Sequence, residues 1–181
     1  MNRTFLLMLT IVFGQLMLQA QEVFHFELES SVRTMRNPMV GLVASRVAGF
    51  QHCALLYLQS KASHETKATD FKWLDNQAYH LADFLALYQA LITDEAISSD
   101  EQKSIKAAFK EATLAYPCFF DEDENTALQH VNCVGSDLTP FSLDTDWEKA
   151  FHSIFETFHQ QNYTRQLEVF QRFSHQRKPI R

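Results

Sequence analysis

The chain is short of the residues that interrupt regular structure. It has four glycines and four prolines among 181 residues. That scarcity argues against a turn-rich sheet protein and favours long helices. Catalytic signatures are missing as well. There is no Gly-x-Ser-x-Gly, no Cys-x-x-Cys, no haem-type Cys-x-x-Cys-His and no glycine-rich phosphate loop. Without them the sequence supplies no complete nucleophile, redox or nucleotide site. Positive charge is also in deficit, with a formal net charge of -6. A nucleic-acid binder normally carries a basic patch, so that class is set aside.

Long apolar runs are confined to the start. Met1-Asn2-Arg3-Thr4 gives a short basic lead, Phe5 to Phe13 an apolar run, and Leu18-Gln19-Ala20 a small-residue exit before Gln21. These three parts describe a secretory signal peptide over residues 1–20, cleaved before Gln21. Thr10, Gly14 and Gln15 make the run short for a membrane span of about 20 residues. Cleavage removes Arg3 and leaves a mature chain of net charge -7. The expected location is therefore secreted or periplasmic. Residues 21–181 form one domain, long enough to bury a core.

What is abundant is phenylalanine, with 16 residues, in helical spacing. Residues 22–36 are ambiguous: Phe24, Phe26 and Leu28 alternate like a strand, while Phe24, Leu28, Val32 and Met35 fit a helix face. The helix is preferred. Asn37-Pro38 reads as cap and first turn of a helix reaching Ser60. Arg46 is the one formal charge in that span, so the helix is expected to be central. Its small residues (Gly41, Ala44, Ser45, Ala48, Gly49) admit a close neighbour. Arg46, Gln51 and His52 argue against membrane insertion, so no stable span is expected in the mature chain.

Phe71, Leu74, Ala78, Leu81, Leu85, Tyr88 and Ile92 form an unbroken 3-4 seam, widened by Phe84, Leu87 and Leu91. Ser98-Ser99-Asp100-Glu101 starts another helix, with Ile105 and Phe109 inward and Pro117 as its stop. Trp147, Phe151, Ile154, Phe155 and Phe158 make a last stripe. A five-residue jump to Tyr163 predicts a bend or a second helix near 160–162. The expectation is an all-α, single-domain bundle of about four to five helices, with an irregular acidic segment at 118–146 and a basic C-terminal tail at 174–181.

Between Cys118 and Glu148 stand eight acids and no Lys or Arg: Asp121, Glu122, Asp123, Glu124, Asp137, Asp144, Asp146 and Glu148. Cys118 and Cys133 sit inside this stretch. Export permits a disulfide between them, and closing a loop of about 15 residues is worth roughly 3 kcal/mol in a chain-entropy model. Cys53 reads as a buried thiol. Asp121, Asp123 and Asn125 match positions 1, 3 and 5 of a calcium loop, but Thr126 replaces the glycine and Asn132 the clamping glutamate, so that motif fails.

Two further groups carry candidate chemistry. His152, Glu156 and His159 share one helix flank, and Glu156-Thr157-Phe158-His159 has the Glu-x-x-His spacing of di-iron bundles. The sequence's other such pair, Glu22 and His25, stands at the mature N-terminus, a poor place for a core ligand. These three residues are weak metal candidates, and no cofactor is assigned. His80 and Asp83, with Asn76 one turn earlier, resemble a base and its orienting carboxylate, or an ordinary surface pair.

The leading functional expectation is an exported, non-enzymatic helical binding protein. It uses Asp121, Glu122, Asp123 and Glu124 within the 118–148 region to meet a protein with a basic surface. An inhibitor or immunity protein that covers a basic enzyme site is one form of this. The alternative is a small-molecule or metal-binding bundle that uses His152, Glu156 and His159. A third class is an envelope protein that assembles with itself. The sequence leaves the oligomeric state open.

Overall fold

A computed structural model describes residues 22–65, 71–113, 145–161 and 163–176. Among them the chain is all-helical. Helices α1 (Glu22–Arg36), α2 (Leu42–Glu65), α3 (Phe71–Ile92), α4 (Ser99–Ala112), α5 (Trp147–Gln160) and α6 (Thr164–Gln176) pack into one bundle. Six helices exceed the four to five expected. The phase break after Phe158 does separate two helices, because Gln161 closes α5 by a bond from its N–H to the Phe158 carbonyl (3.2 Å) and α6 begins at Thr164.

Helical phase wins at residues 22–36. Phe24 is fully buried while Phe26 is 59% exposed, an outcome that strand alternation, with both on one face, would not give. The start of α1 is tied to α3, where Asp75 accepts the Phe24 N–H at 2.9 Å. A carboxylate suits a helix N-terminus by charge and by hydrogen bonding.

The expected cap at Asn37-Pro38 is corrected. Asn37 Oδ1 instead accepts the Met39 N–H at 3.0 Å, and the Asn37 carbonyl accepts the Val40 N–H at 3.2 Å. This side-chain turn competes with helix initiation. The first turn of α2 closes later, with Ser45 N–H on the Gly41 carbonyl at 3.0 Å.

The central helix is α3 rather than α2. It packs against each of the other five helices, which is why its apolar surface is wider than one seam. Phe84, Leu87 and Leu91 are fully buried beside the predicted Leu74, Ala78, Leu81, Leu85 and Tyr88. The small residues Ala44 and Ala48 of α2 meet Ala82 and Ala86 of α3 around a crevice of about 230 Å3.

Large aromatics join the helices. Phe109 of α4 lies 4.9 Å from Phe84 and 5.2 Å from Tyr88, ring centre to ring centre, and 5.8 Å from Phe158 of α5. Trp147 of α5 reaches Phe84 at 5.5 Å and Phe50 of α2 at 5.9 Å. Edge-on and offset pairs at these spacings add to the area they bury. Helix α4 opens with a complete capping box: the Glu101 carboxylate accepts the Ser98 N–H, and Ser98 Oγ accepts the Glu101 N–H. It closes at Ala112, ahead of Pro117, because Thr113 turns extended (φ −105°, ψ 137°). Helix α6 runs to Gln176, so residues 174–176 of the expected tail are helical.

Among the described residues no helix is long and apolar enough to cross a membrane. The expected signal peptide over residues 1–20, the acidic run Asp121–Glu124 and the cysteines Cys118 and Cys133 lie outside the described residues. Cys53 is buried in α2, as its apolar setting predicts.

Candidate functional site

A dense polar arrangement lies where α5 begins against α3. Gln77 is buried, and its Oε1 accepts the Trp147 backbone N–H at 2.8 Å while its Nε2 faces Asp146 Oδ1 at 3.5 Å. Asn76 Nδ2 donates to Glu148 Oε2 at 2.8 Å. Asp146 caps α5 by accepting the Lys149 N–H at 3.3 Å and pairs with the Lys149 ammonium at 2.9 Å. The contact with Lys149 holds the Asp146 carboxyl below the usual range, against a smaller opposing effect of burial. One turn further along α3, His80 meets His152 with ring centres 5.3 Å apart and Phe151 at 5.8 Å.

His80 and His152 differ in setting. The His80 Nδ1 atom is buried and has no hydrogen-bond partner. Burial lowers its pKa, Glu148 opposes that, His152 reinforces it and Asp146 opposes it. His152 Nδ1 lies 2.7 Å from the Glu148 carbonyl. A carbonyl only accepts, so Nδ1 donates to it, and the ring is exposed. This seam can orient a polar group.

The three weak metal candidates are all exposed on α5. His159 rests against Phe155, with ring centres 6.0 Å apart, and Glu156 faces solvent. What meets His152 is His80 of α3, a neighbour that spacing along one helix cannot reveal. Among the described residues no group of three His, Cys, Asp or Glu side chains has the geometry to hold a metal ion.

The placing of His80 and Asp83 on one polar face needs correction. Asp83 is a buried residue, at 4% exposure, among the apolar side chains of α3. His80 turns towards α5. Of the three polar residues read together, Asn76 binds Glu148, also on α5.

A second polar pair was not visible in the sequence. Ser31 of α1 and His52 of α2 are both buried, with Oγ and Nδ1 3.3 Å apart. Ser31 Oγ donates to the Leu28 carbonyl at 2.7 Å, so it accepts from His52 rather than giving up its proton to it. That direction is wrong for a nucleophile and its base, and the pair serves as a tie between two helices. A neighbouring tie runs from Gln51 Nε2 to Glu27 Oε2 at 2.7 Å. Burial lowers the His52 pKa. Only three-dimensional pairing of α1 with α2 brings these groups together.

Residues 114–144 lie outside the described residues and are flanked by two buried threonines, Thr113 at 6% exposure and Thr145 at 7%. Two of the eight acids between Cys118 and Glu148 are engaged locally, Asp146 as a cap and Glu148 on Asn76. Comparison with protein-family models, with curated proteins and with solved structures found no match for this chain.

Proposed function

We propose that this is an exported, non-enzymatic helical binding protein that presents the segment between α4 and α5 to a protein with a basic surface. The observation that carries the reading is a stretch of six acids with no Lys or Arg, flanked by buried Thr113 and Thr145 of one bundle. Charge of one sign on a fixed base steers an oppositely charged partner and sets its register. Asp146 and Glu148 are occupied in holding α5, which narrows the binding charge to Asp121, Glu122, Asp123, Glu124, Asp137 and Asp144. A Cys118–Cys133 disulfide would cut the number of conformations this segment loses on binding. The N-terminal pattern of residues 1–20 supports export and the oxidising setting such a bridge needs. An inhibitor or immunity protein covering a basic site fits this arrangement.

The test is capture from the extracellular or periplasmic fraction of the source organism. The wild type is compared with a variant carrying Asp121→Asn, Glu122→Gln, Asp123→Asn and Glu124→Gln. The reading expects the variant to lose the captured protein and the wild type to lose it as salt is raised. Equal capture by both makes the acids a solubility feature.

A further inference from the structure

Five large apolar side chains are strongly exposed among the described residues, and three of them fall within five positions: Met39 at 89%, Leu42 at 53% and Val43 at 44%. They form the tip between α1 and α2. The tip is shaped by its own hydrogen bonds, with Asn37 accepting from Met39 and Val40. Scattered single apolar residues are ordinary on a surface, whereas a cluster at one projecting end marks a contact.

The tip is collared by positive charge. Arg33 and Arg36 occupy the last turn of α1, both exposed, and neither has an ion pair among the described residues. In a chain of net charge -6 this is a local reversal of sign. The negative end of the α1 dipole accounts for arginines there, but not for the apolar group beyond them. An open hollow of about 540 Å3 continues from the arginines down α1, bordered by Leu28, Glu29, Val32 and His52. Glu29 stands at the end away from the tip.

We propose that the α1–α2 tip docks on an anionic lipid surface. Met39, Leu42 and Val43 enter the boundary between headgroups and acyl chains, and Arg33 and Arg36 take the lipid phosphates. Apolar side chains at the leading edge with guanidinium groups in the adjoining last turn of α1 match the order of layers in a bilayer surface, whose interfacial zone is entered to about 5–10 Å. Complementary charge selects anionic over neutral lipid. Docking here is peripheral and leaves the bundle intact. It uses the turn between α1 and α2.

Gly41 provides a clean test. A Cβ added there meets nothing within 4 Å, so a side chain at this position disturbs no packing. Purified protein is sedimented with vesicles of phosphatidylcholine alone and with vesicles containing roughly a third phosphatidylglycerol. The wild type is expected to favour the anionic vesicles by tenfold or more at low salt, by about fivefold for each arginine. Gly41→Ala retains this. Gly41→Glu, which sets a carboxylate among the apolar side chains, reduces binding to the neutral-vesicle level. Arg33→Gln with Arg36→Gln removes the lipid preference, and Met39→Ser weakens binding to both vesicle types. Circular dichroism of each variant confirms the helical bundle. Equal sedimentation with both vesicle types overturns the proposal, as does Gly41→Glu binding like wild type. Concentration-dependent dimerisation that Gly41→Glu abolishes, with no vesicle binding, gives the tip to a second copy of the chain and also overturns it.

Discussion

Gln77, in the first half of α3, accepts the backbone N–H of Trp147 at 2.8 Å across 70 residues of sequence. The first amides of a helix lack partners within the helix, and this one is buried, so a side chain from another helix supplies what water cannot. The same amide group faces Asp146, the cap of α5. One glutamine thus fixes where α5 begins, and with it where the acidic segment rejoins the bundle. Replacing it with Leu leaves the Trp147 N–H buried and unpaired, at a cost of about 1–3 kcal/mol. Asn76→Ala, one position away, removes only an exposed bond to Glu148 and is expected to change stability by less than about 0.5 kcal/mol. Urea midpoints of the two variants measure the difference. Equal midpoints would show that Gln77 does not hold α5.

Phe109 is the aromatic hub, touching Phe84, Tyr88 and Phe158 and fully buried. Phe109→Ala removes contacts to two other helices at once, with an expected loss of about 3–5 kcal/mol. Calorimetry checks this, and a melting point close to that of wild type would place the true hub elsewhere.

At the start of α4, Ser98→Ala removes one half of the capping box. The expected cost is about 1 kcal/mol. Glu101→Gln should cost less, because a glutamine oxygen still accepts the Ser98 N–H. Chemical denaturation ranks the two, and the opposite ranking contradicts the geometry.

Acid should weaken the bundle before the carboxylates titrate. Burial lowers the pKa of both His52 and His80 from the ordinary 6.5, so the unfolded chain binds protons that the folded chain resists. The stability this represents is complete above pH 6.5 and is lost as pH falls through the folded values. For His80, Glu148 and Asp146 favour the charged ring, and burial, reinforced by His152, outweighs them. Asp146, whose pKa is also lowered, adds a further loss at lower pH. The urea midpoint should therefore decline between neutrality and mildly acidic pH, and less steeply in a His52→Gln, His80→Gln double variant. A midpoint independent of pH over that interval would contradict this.

Legibility in the sequence tracked periodicity. The α3 seam, the start at Ser98, the inward Ile105 and Phe109, and the break after Phe158 all follow from apolar spacing and cap chemistry, which are local. The errors came where a side chain found a non-local or competing partner. Asn37 turned on its own backbone instead of opening α2. Asp83 went into the core, against the usual preference of a carboxylate. The central role passed from α2 to α3, because apolar content says how much a helix buries but not how many neighbours share it. Spacing groups His152 with Glu156 and His159, the residues its own helix places nearby. Its neighbour from α3, His80, and the Ser31–His52 contact depend on which helices pair. No spacing along a single helix encodes that.

The central claim is that the acids between α4 and α5 recruit a basic partner, and it is tested most directly by side-by-side capture from the source organism's extracellular or periplasmic fraction. Wild type and the variant neutralised at Asp121, Glu122, Asp123 and Glu124 are compared at low and at raised salt. The account predicts a basic protein retained by wild type at low salt, released as salt rises and missing from the variant. Retention of the same protein by both, with the same response to salt, would contradict it.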